Sequence, residues 1–481
     1  MVAKIIIVSL TLAFSISSAI SAESLPPLEI ETGFDVLHSP NTTIEGLHRF
    51  YVGLPTSHNF RFGQAIYSSA YGDGGGAFFW GFEVTHRTLI TSRLSASLSG
   101  FIGGGGGASQ VNGDGTMGRL SILGDYELTP GWGLQAGMAR IKVNGSAIND
   151  WATTLGVRFT PFKLSSTNRS ADWGLRSASL RFSRYTFPNT LTRSAKRQND
   201  LSLMGAEARF FASEAYEVFI GADGAASGSD GYMQVQGGIR GRWPVGPVSL
   251  FGESSLGFGG GGDVDTGGGF LVGAAIGAAF ELTPYFDLEI AYRGQKAIDT
   301  QLAGHGININ LSRVFNRYDD HGKLNKSQRW QIGLGLSSQV PNDNYMKAGN
   351  NKGIHPLMQE TSIDLFLTEN VYLTGNAQTT VNGGVAGFAI GLLGLGYEFE
   401  LNDSWQLALE GHIGAAGGGG VDVGSGFIGG LRAEIDYLLS SKNAVSFGFG
   451  ILKSNVGGMR IPIFQIGLKH KFSTGALLLA K

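Results

Sequence analysis

The stretch Gly268–Gly294, GGFLVGAAIGAAFELTPYFDLEIAYRG, carries two runs of alternation separated by a turn. In 286–293 (FDLEIAYR), Phe286, Leu288, Ile290 and Tyr292 fall on one face, and Asp287, Glu289, Ala291 and Arg293 fall on the other. A period of two is that of a β-strand, whose successive side chains point to opposite sides. One side suits an apolar surrounding and the other suits water. The preceding run, 269–281, turns Gly269, Leu271, Gly273, Ala275, Gly277, Ala279 and Glu281 to its polar side, a face almost without bulk. Thr283–Pro284 supplies the turn between the two strands. Strand 427–437 (FIGGLRAEIDY) repeats the charged alternation, with Phe427, Leu431, Ala433, Ile435 and Tyr437 opposed to Arg432, Glu434 and Asp436.

Working outward, the same pattern recurs three times. Glycine runs begin at Gly103, Gly259 and Gly417, spaced 156 and 158 residues apart, which marks an internal repeat. Downstream of them, Leu120–Trp132 (LSILGDYELTPGW) parallels Ala274–Phe286, and Gly429–Leu439 is a weaker third copy. Upstream, each copy has a polar glycine turn at Gly72–Gly76, Gly228–Gly231 and Asn382–Gly384. Eight alternating segments bounded by turn residues fit the first copy, near 28–37, 46–54, 59–70, 77–88, 92–103, 116–128, 131–143 and 149–161. Equivalent copies run from Trp173 to Asn316 and from Trp330 to Phe472, so about twenty-four strands are expected in all. This divides the chain into repeats over 23–165, 166–320 and 321–481.

Composition narrows the class. The chain has 481 residues, 76 of them glycine, with no cysteine, 15% charged residues and a net charge of −2. Glycine is thus roughly twice its usual share of about 7%, while charge is well below the usual quarter. A disulfide scaffold is excluded, and collagen is too, because the glycines lack a three-residue period. Near-neutral charge offers nothing for nucleic acid. Residues 1–22 read as a cleaved signal peptide, with Lys4 before an apolar stretch that ends in small residues. Later apolar runs fall short of the roughly 20 residues that a spanning helix needs. An exported chain of this kind crosses a membrane, if at all, as strands closed into a barrel.

Connection lengths agree with a transmembrane antiparallel β-barrel. Short turns at Thr129–Pro130, Thr283–Pro284 and Asn402–Asp403 lie at one end, while Pro188–Gln198, Pro341–His355 and the glycine runs lie at the other. On Gly268–Gly294 and its counterpart at 118–140, the chain resembles bacterial outer-membrane β-barrels, in particular eight-stranded opacity-type barrels. Gln465–Phe472 (QIGLKHKF) resembles the C-terminal assembly signal of such proteins, departing from it at His470 and in the nine residues that follow Phe472. The resemblance implies insertion in the outer membrane of a Gram-negative bacterium. The partners it implies are the barrel assembly machinery, outer-membrane lipid and lipopolysaccharide.

Two closures fit about 24 strands arranged as 3 × 8. Eight strands close to a cylinder roughly 17 Å across, and twenty-four close to one of roughly 50 Å. Polar linkers at 160–172 and 315–328 suit three eight-stranded barrels in series. The bare face of 269–281 favours one large barrel, because a narrow one would be left under-filled. On that reading Arg119, Asp125, Asp287, Glu289, Arg293, Arg432, Glu434 and Asp436 line a lumen, with Gly103, Gly259 and Gly417 in outward hairpins. The expected function is a pore or export channel for an unidentified polar solute or polymer. A non-transporting surface barrel is the alternative, and a lipid-modifying enzyme using Glu410 and His412 is the third reading. No metal-ligand spacing or nucleophile elbow is present, so neither metal nor cofactor is expected. Trp80, Trp132, Trp243 and Trp405 read as girdle residues near strand ends.

Overall fold

A computed structural model describes residues 29–39, 42–55, 59–160, 175–211, 215–315 and 328–474. Residues 1–22, read above as a signal peptide, and most of both linkers lie outside these residues. Twenty-four strands form three closed antiparallel barrels, each with consecutive strands paired and its last strand returned to its first.

Barrel 1 comprises β1 (Glu29–Leu37), β2 (Ile44–Pro55), β3 (Phe60–Gly72), β4 (Phe78–Leu89), β5 (Leu94–Gly106), β6 (Thr116–Thr129), β7 (Trp132–Val143) and β8 (Asn149–Phe159). Barrel 2 comprises β9 (Leu175–Thr186), β10 (Leu201–Phe211), β11 (Tyr216–Ser227), β12 (Met233–Val245), β13 (Val248–Gly260), β14 (Phe270–Thr283), β15 (Phe286–Ala297) and β16 (Ala303–Val314). Barrel 3 comprises β17 (Gln328–Gln339), β18 (Leu357–Phe366), β19 (Val371–Asn382), β20 (Ala389–Asn402), β21 (Trp405–Gly417), β22 (Phe427–Leu438), β23 (Asn443–Ser454) and β24 (Arg460–Thr474).

The expectation of one large barrel is therefore corrected to its alternative, three barrels of eight. The reason lies in what faces the bare strands. Gly277 on β14 is paired with Phe251 on β13, whose ring occupies the space a Cβ would take. Gly396 on β20 accommodates the ring of its partner Tyr372 in the same way. Aromatic rings lying over glycines on neighbouring strands fill a cylinder that the inward residues of 269–281 alone would leave hollow.

Connections sort by length between the two ends. At one end, the turns β6–β7, β12–β13, β14–β15 and β20–β21 have two residues each. Side-chain oxygens hold several turns of this end. Thr283 Oγ1 accepts from the Phe286 amide at 3.1 Å, and Asn402 Oδ1 accepts from the Trp405 amide at 3.1 Å. Thr91, Thr368 and Ser440 do the same for Leu94, Val371 and Asn443, as expected of residues that mimic a backbone turn. The loops at the other end are longer, reaching 187–200 and 340–356.

Many outward-facing residues are apolar and exposed, among them Leu98, Ile122, Met138, Ile276, Ile290, Leu431 and Phe449. Trp132, Trp243 and Trp405 sit exposed at the short-turn end of all three barrels. Trp80 departs from its expected place in a girdle. It is 8% exposed, and its carbonyl accepts from Gln359 Nε2 of barrel 3 at 2.6 Å.

Candidate functional site

Inward-facing positions carry charge in all three barrels, and the charges meet. In barrel 1, Arg49 reaches Glu31 at 2.8 Å and Glu83 at 2.5 Å, and the Tyr67 hydroxyl donates to Glu83 at 2.9 Å. Arg87 bridges Glu29 and Glu31 at 2.6 and 2.7 Å. Arg119 grips Asp35 through two bonds of 2.8 and 2.9 Å, and Arg158 holds Asp125 likewise. Paired planar groups of this kind are the strong form of charged hydrogen bond.

Barrel 2 repeats the arrangement with other residues. Arg181 joins Glu207 at 2.7 Å to Asp223 at 2.5 Å. Arg209 and Arg240 converge on Glu289, and Arg240 also binds Glu253. Arg293 donates to Gln236 at 2.6 Å and to Ser255 at 2.7 Å. In barrel 3, Arg432 links Glu360, Glu410 and Glu434 at 2.5, 2.6 and 3.1 Å. Lys469 bridges Glu434 and Asp436 at 2.5 and 2.9 Å.

The structure therefore distributes the eight charged residues singled out from the sequence among three interiors. Arg119 and Asp125 lie in barrel 1, Asp287, Glu289 and Arg293 in barrel 2, and Arg432, Glu434 and Asp436 in barrel 3. All eight are buried, at 5% exposure or less. Glu410 and His412 also share one interior, 3.3 Å apart. Sequence reading passed over Arg49, Arg87, Arg181, Arg209 and Arg240, which carry as many contacts. A signal existed for some of them: Glu207 and Arg209 alternate within LSLMGAEARFF as cleanly as the residues of β15 do.

Above the charged layer, toward the long loops, each barrel is stoppered by apolar side chains. Barrel 1 packs Ile44, Phe79, Val111, Met117, Val143 and Ile148 there. Phe187, Leu201, Tyr232, Val264 and Leu302 do so in barrel 2, and Tyr345, Phe388, Val421, Leu452 and Met459 in barrel 3. Among the described residues, each interior thus combines a layer of paired charges with an apolar layer at the loop end.

The three barrels also meet one another in a closed ring. The glycine run of barrel 1 abuts Gly387 of barrel 3, that of barrel 3 abuts Gly231 of barrel 2, and that of barrel 2 abuts Gly76 of barrel 1. Gly76, Gly231 and Gly387 have φ of +90°, +86° and +79°, a conformation that glycine adopts without a Cβ clash. Gly417, at the end of β21, touches the neighbouring barrel itself, whereas Gly103 and Gly259 pack within their own barrels and the residues just after them, Gly104, Gly106 and Gly260, make the contact. None of the three stands at a free hairpin tip. Polar clips reinforce each junction. Arg193 pairs with Asp73 at 3.2 Å, Lys347 with Asp230 at 2.5 Å, and Asp114 Oδ1 accepts from the Gly383 and Gly384 amides at 3.0 and 3.2 Å.

Fold and site together define an all-β protein of three closed eight-stranded antiparallel barrels arranged about a pseudo-threefold axis. It weakly resembles known Gram-negative outer-membrane channel barrels. Against OccK11 (OpdR) of Pseudomonas aeruginosa it is 10% identical, covering 93% of this chain and 95% of that one, with a TM-score of 0.25. The copper transporter OprC is 11% identical, with 94% and 82% covered and a TM-score of 0.31. The siderophore receptor PirA from Acinetobacter baumannii is 12% identical, with 93% and 81% covered and a TM-score of 0.30. No protein-family model matches the chain, and no curated protein does.

Proposed function

We propose that the protein is an integral outer-membrane protein that does not conduct, a rigid three-barrel anchor presenting its long-loop face outward. The observation that carries this reading is the filling of each interior. Paired arginines and carboxylates span the barrel, and an apolar layer closes the loop end. A passage for a polar solute or polymer would have to break several buried ion pairs in a barrel roughly 17 Å across its backbone. Removing one partner from a buried pair costs about 3–5 kcal/mol. Placement in a membrane draws support from the exposed apolar belt and from the aromatic residues at the short-turn rim.

A pore or export channel, the reading that a wide lumen would favour, is weakened by the loss of that lumen. Lipid modification by Glu410 and His412 is weakened because both side chains sit inside a closed wall. Planar-bilayer recording on the purified protein tests the proposal. The expected outcome is insertion without unitary current steps at any voltage the bilayer withstands. Reproducible steps that scale with protein concentration would contradict it.

A further inference from the structure

The threefold repeat carries a feature that the barrel interiors do not explain. Lys142 on β7, Lys296 on β15 and Lys453 on β23 occupy the same place in their barrels, each opposite the third residue of the preceding strand: Gly118, Val272 and Gly429. All three are exposed and face outward. Each stands ten residues beyond the first residue of its strand, Trp132, Phe286 and Asn443 respectively. At about 3.4 Å per residue and a tilt near 40–45°, that separation is roughly 25 Å, the height of the apolar band of a membrane barrel. The outward residues in between are largely apolar, Leu134 and Met138 on β7, Leu288 and Ile290 on β15, and Phe447, Phe449 and Ile451 on β23. Each lysine therefore stands where the band ends on the long-loop side.

Two independent observations show what this position lacks. In barrel 3, Lys453 is directly paired across strands with Arg460, and no carboxylate forms an ion pair with either among the described residues. Like charges directly opposite each other are destabilising unless something neutralises them. In barrel 1, Lys142 and Arg140 stand at the rim of an outward groove of about 390 Å³, with Gly100, Ile102, Gly118 and Leu120 among its lining. That volume is within the range of small-molecule sites, about 300–1,000 Å³. Arg140 is held by Asn149 Oδ1 at 2.8 Å, lies 4.0 Å from Asp150, and rests over the ring of Trp151, which marks the interface.

We propose that these cations form a threefold set of sites for the phosphorylated headgroup of an outer-leaflet glycolipid of the lipid A class, with an acyl chain in the groove of barrel 1. The inference rests on the membrane placement proposed above. Charge complementarity selects the occupant: a phosphate neutralises the Lys453–Arg460 pair, and its acyl chains match the apolar faces below each lysine. The long-loop side selects the leaflet.

The test reconstitutes the full protein in phosphatidylcholine nanodiscs and titrates it with lipid A, with dephosphorylated lipid A and phosphatidylglycerol as parallel arms. Retained lipid is counted by native mass spectrometry. Lipid A is expected to be retained over both controls, and K142Q/K296Q/K453Q is expected to weaken retention roughly fivefold per site, the effect of about one near-surface cation. Equal retention by the triple variant overturns the proposal, as does equal retention of either control lipid. Insertion is read separately, from β-sheet circular dichroism and protease protection. A protein that never enters the nanodisc overturns the membrane placement and this proposal with it, whereas insertion without selective retention overturns the lipid sites alone.

Discussion

Arg49 shows how a single residue holds a barrel together. Its guanidinium stands between Glu31 and Glu83, and the Tyr67 hydroxyl completes the second carboxylate. Replacing it by methionine would leave the buried Glu83 carboxylate without its ion pair, while Glu31 keeps only Arg87. Arg49→Met is expected to lose about 3–5 kcal/mol of stability in a urea unfolding titration, and the Glu83→Gln second substitution should recover part of that loss. Asp364 makes the opposite case. It accepts from Gln331 Nε2 at 3.0 Å, and no cation forms an ion pair with it among the described residues. Asp364→Asn should therefore be neutral or stabilising in the same titration, whereas Asp35→Asn, which leaves the buried Arg119 without its carboxylate, should cost about 3–5 kcal/mol. Equal costs for the two substitutions would contradict this account of the interiors.

At the scale of elements, strands were legible and their surroundings less so. The alternation in β15 and β22 placed Asp287, Glu289, Arg293, Arg432, Glu434 and Asp436 on the inward face, because a period of two leaves each side chain only two choices. Turn chemistry was equally local, since Thr283 and Asn402 cap their hairpins with their own side chains. What filled the space beside β14 was not local. Phe251 belongs to another strand, and nothing in GGFLVGAAIGAAF announces the ring that covers Gly277. Trp80 was misplaced for a similar reason, because its neighbour is Gln359 of another barrel. The glycine junctions yield their own prediction. The Gly387 and Ala386 amides donate to the Gly105 and Gly113 carbonyls at 2.9 and 2.8 Å. Gly387→Val adds a side chain where φ is +79° and barrel 1 leaves no room. Hydrogen exchange should quicken at 105–115 and 383–388 while the strands of all three barrels stay protected. Unchanged exchange in those loops would argue against the ring of contacts.

For the whole molecule, closure was the least legible property. Whether β8 returns to β1 or continues to β9 depends on one long-range pairing, and edge residues such as Thr32, Gly33 and Phe34 carry no mark of their partner. The glycine excess pointed two ways for the same reason. In the strands it makes room for neighbouring rings, and at the runs it lets one barrel approach the next, so a single compositional bias serves two kinds of contact. Three filled cylinders in a closed ring are the central claim, and a density map of the protein in a lipid nanodisc tests it most directly. The map should contain three separate cylinders, each about 17 Å across its backbone, with density through their interiors and contact at the long-loop end. One continuous wall around a central opening of roughly 50 Å would contradict it.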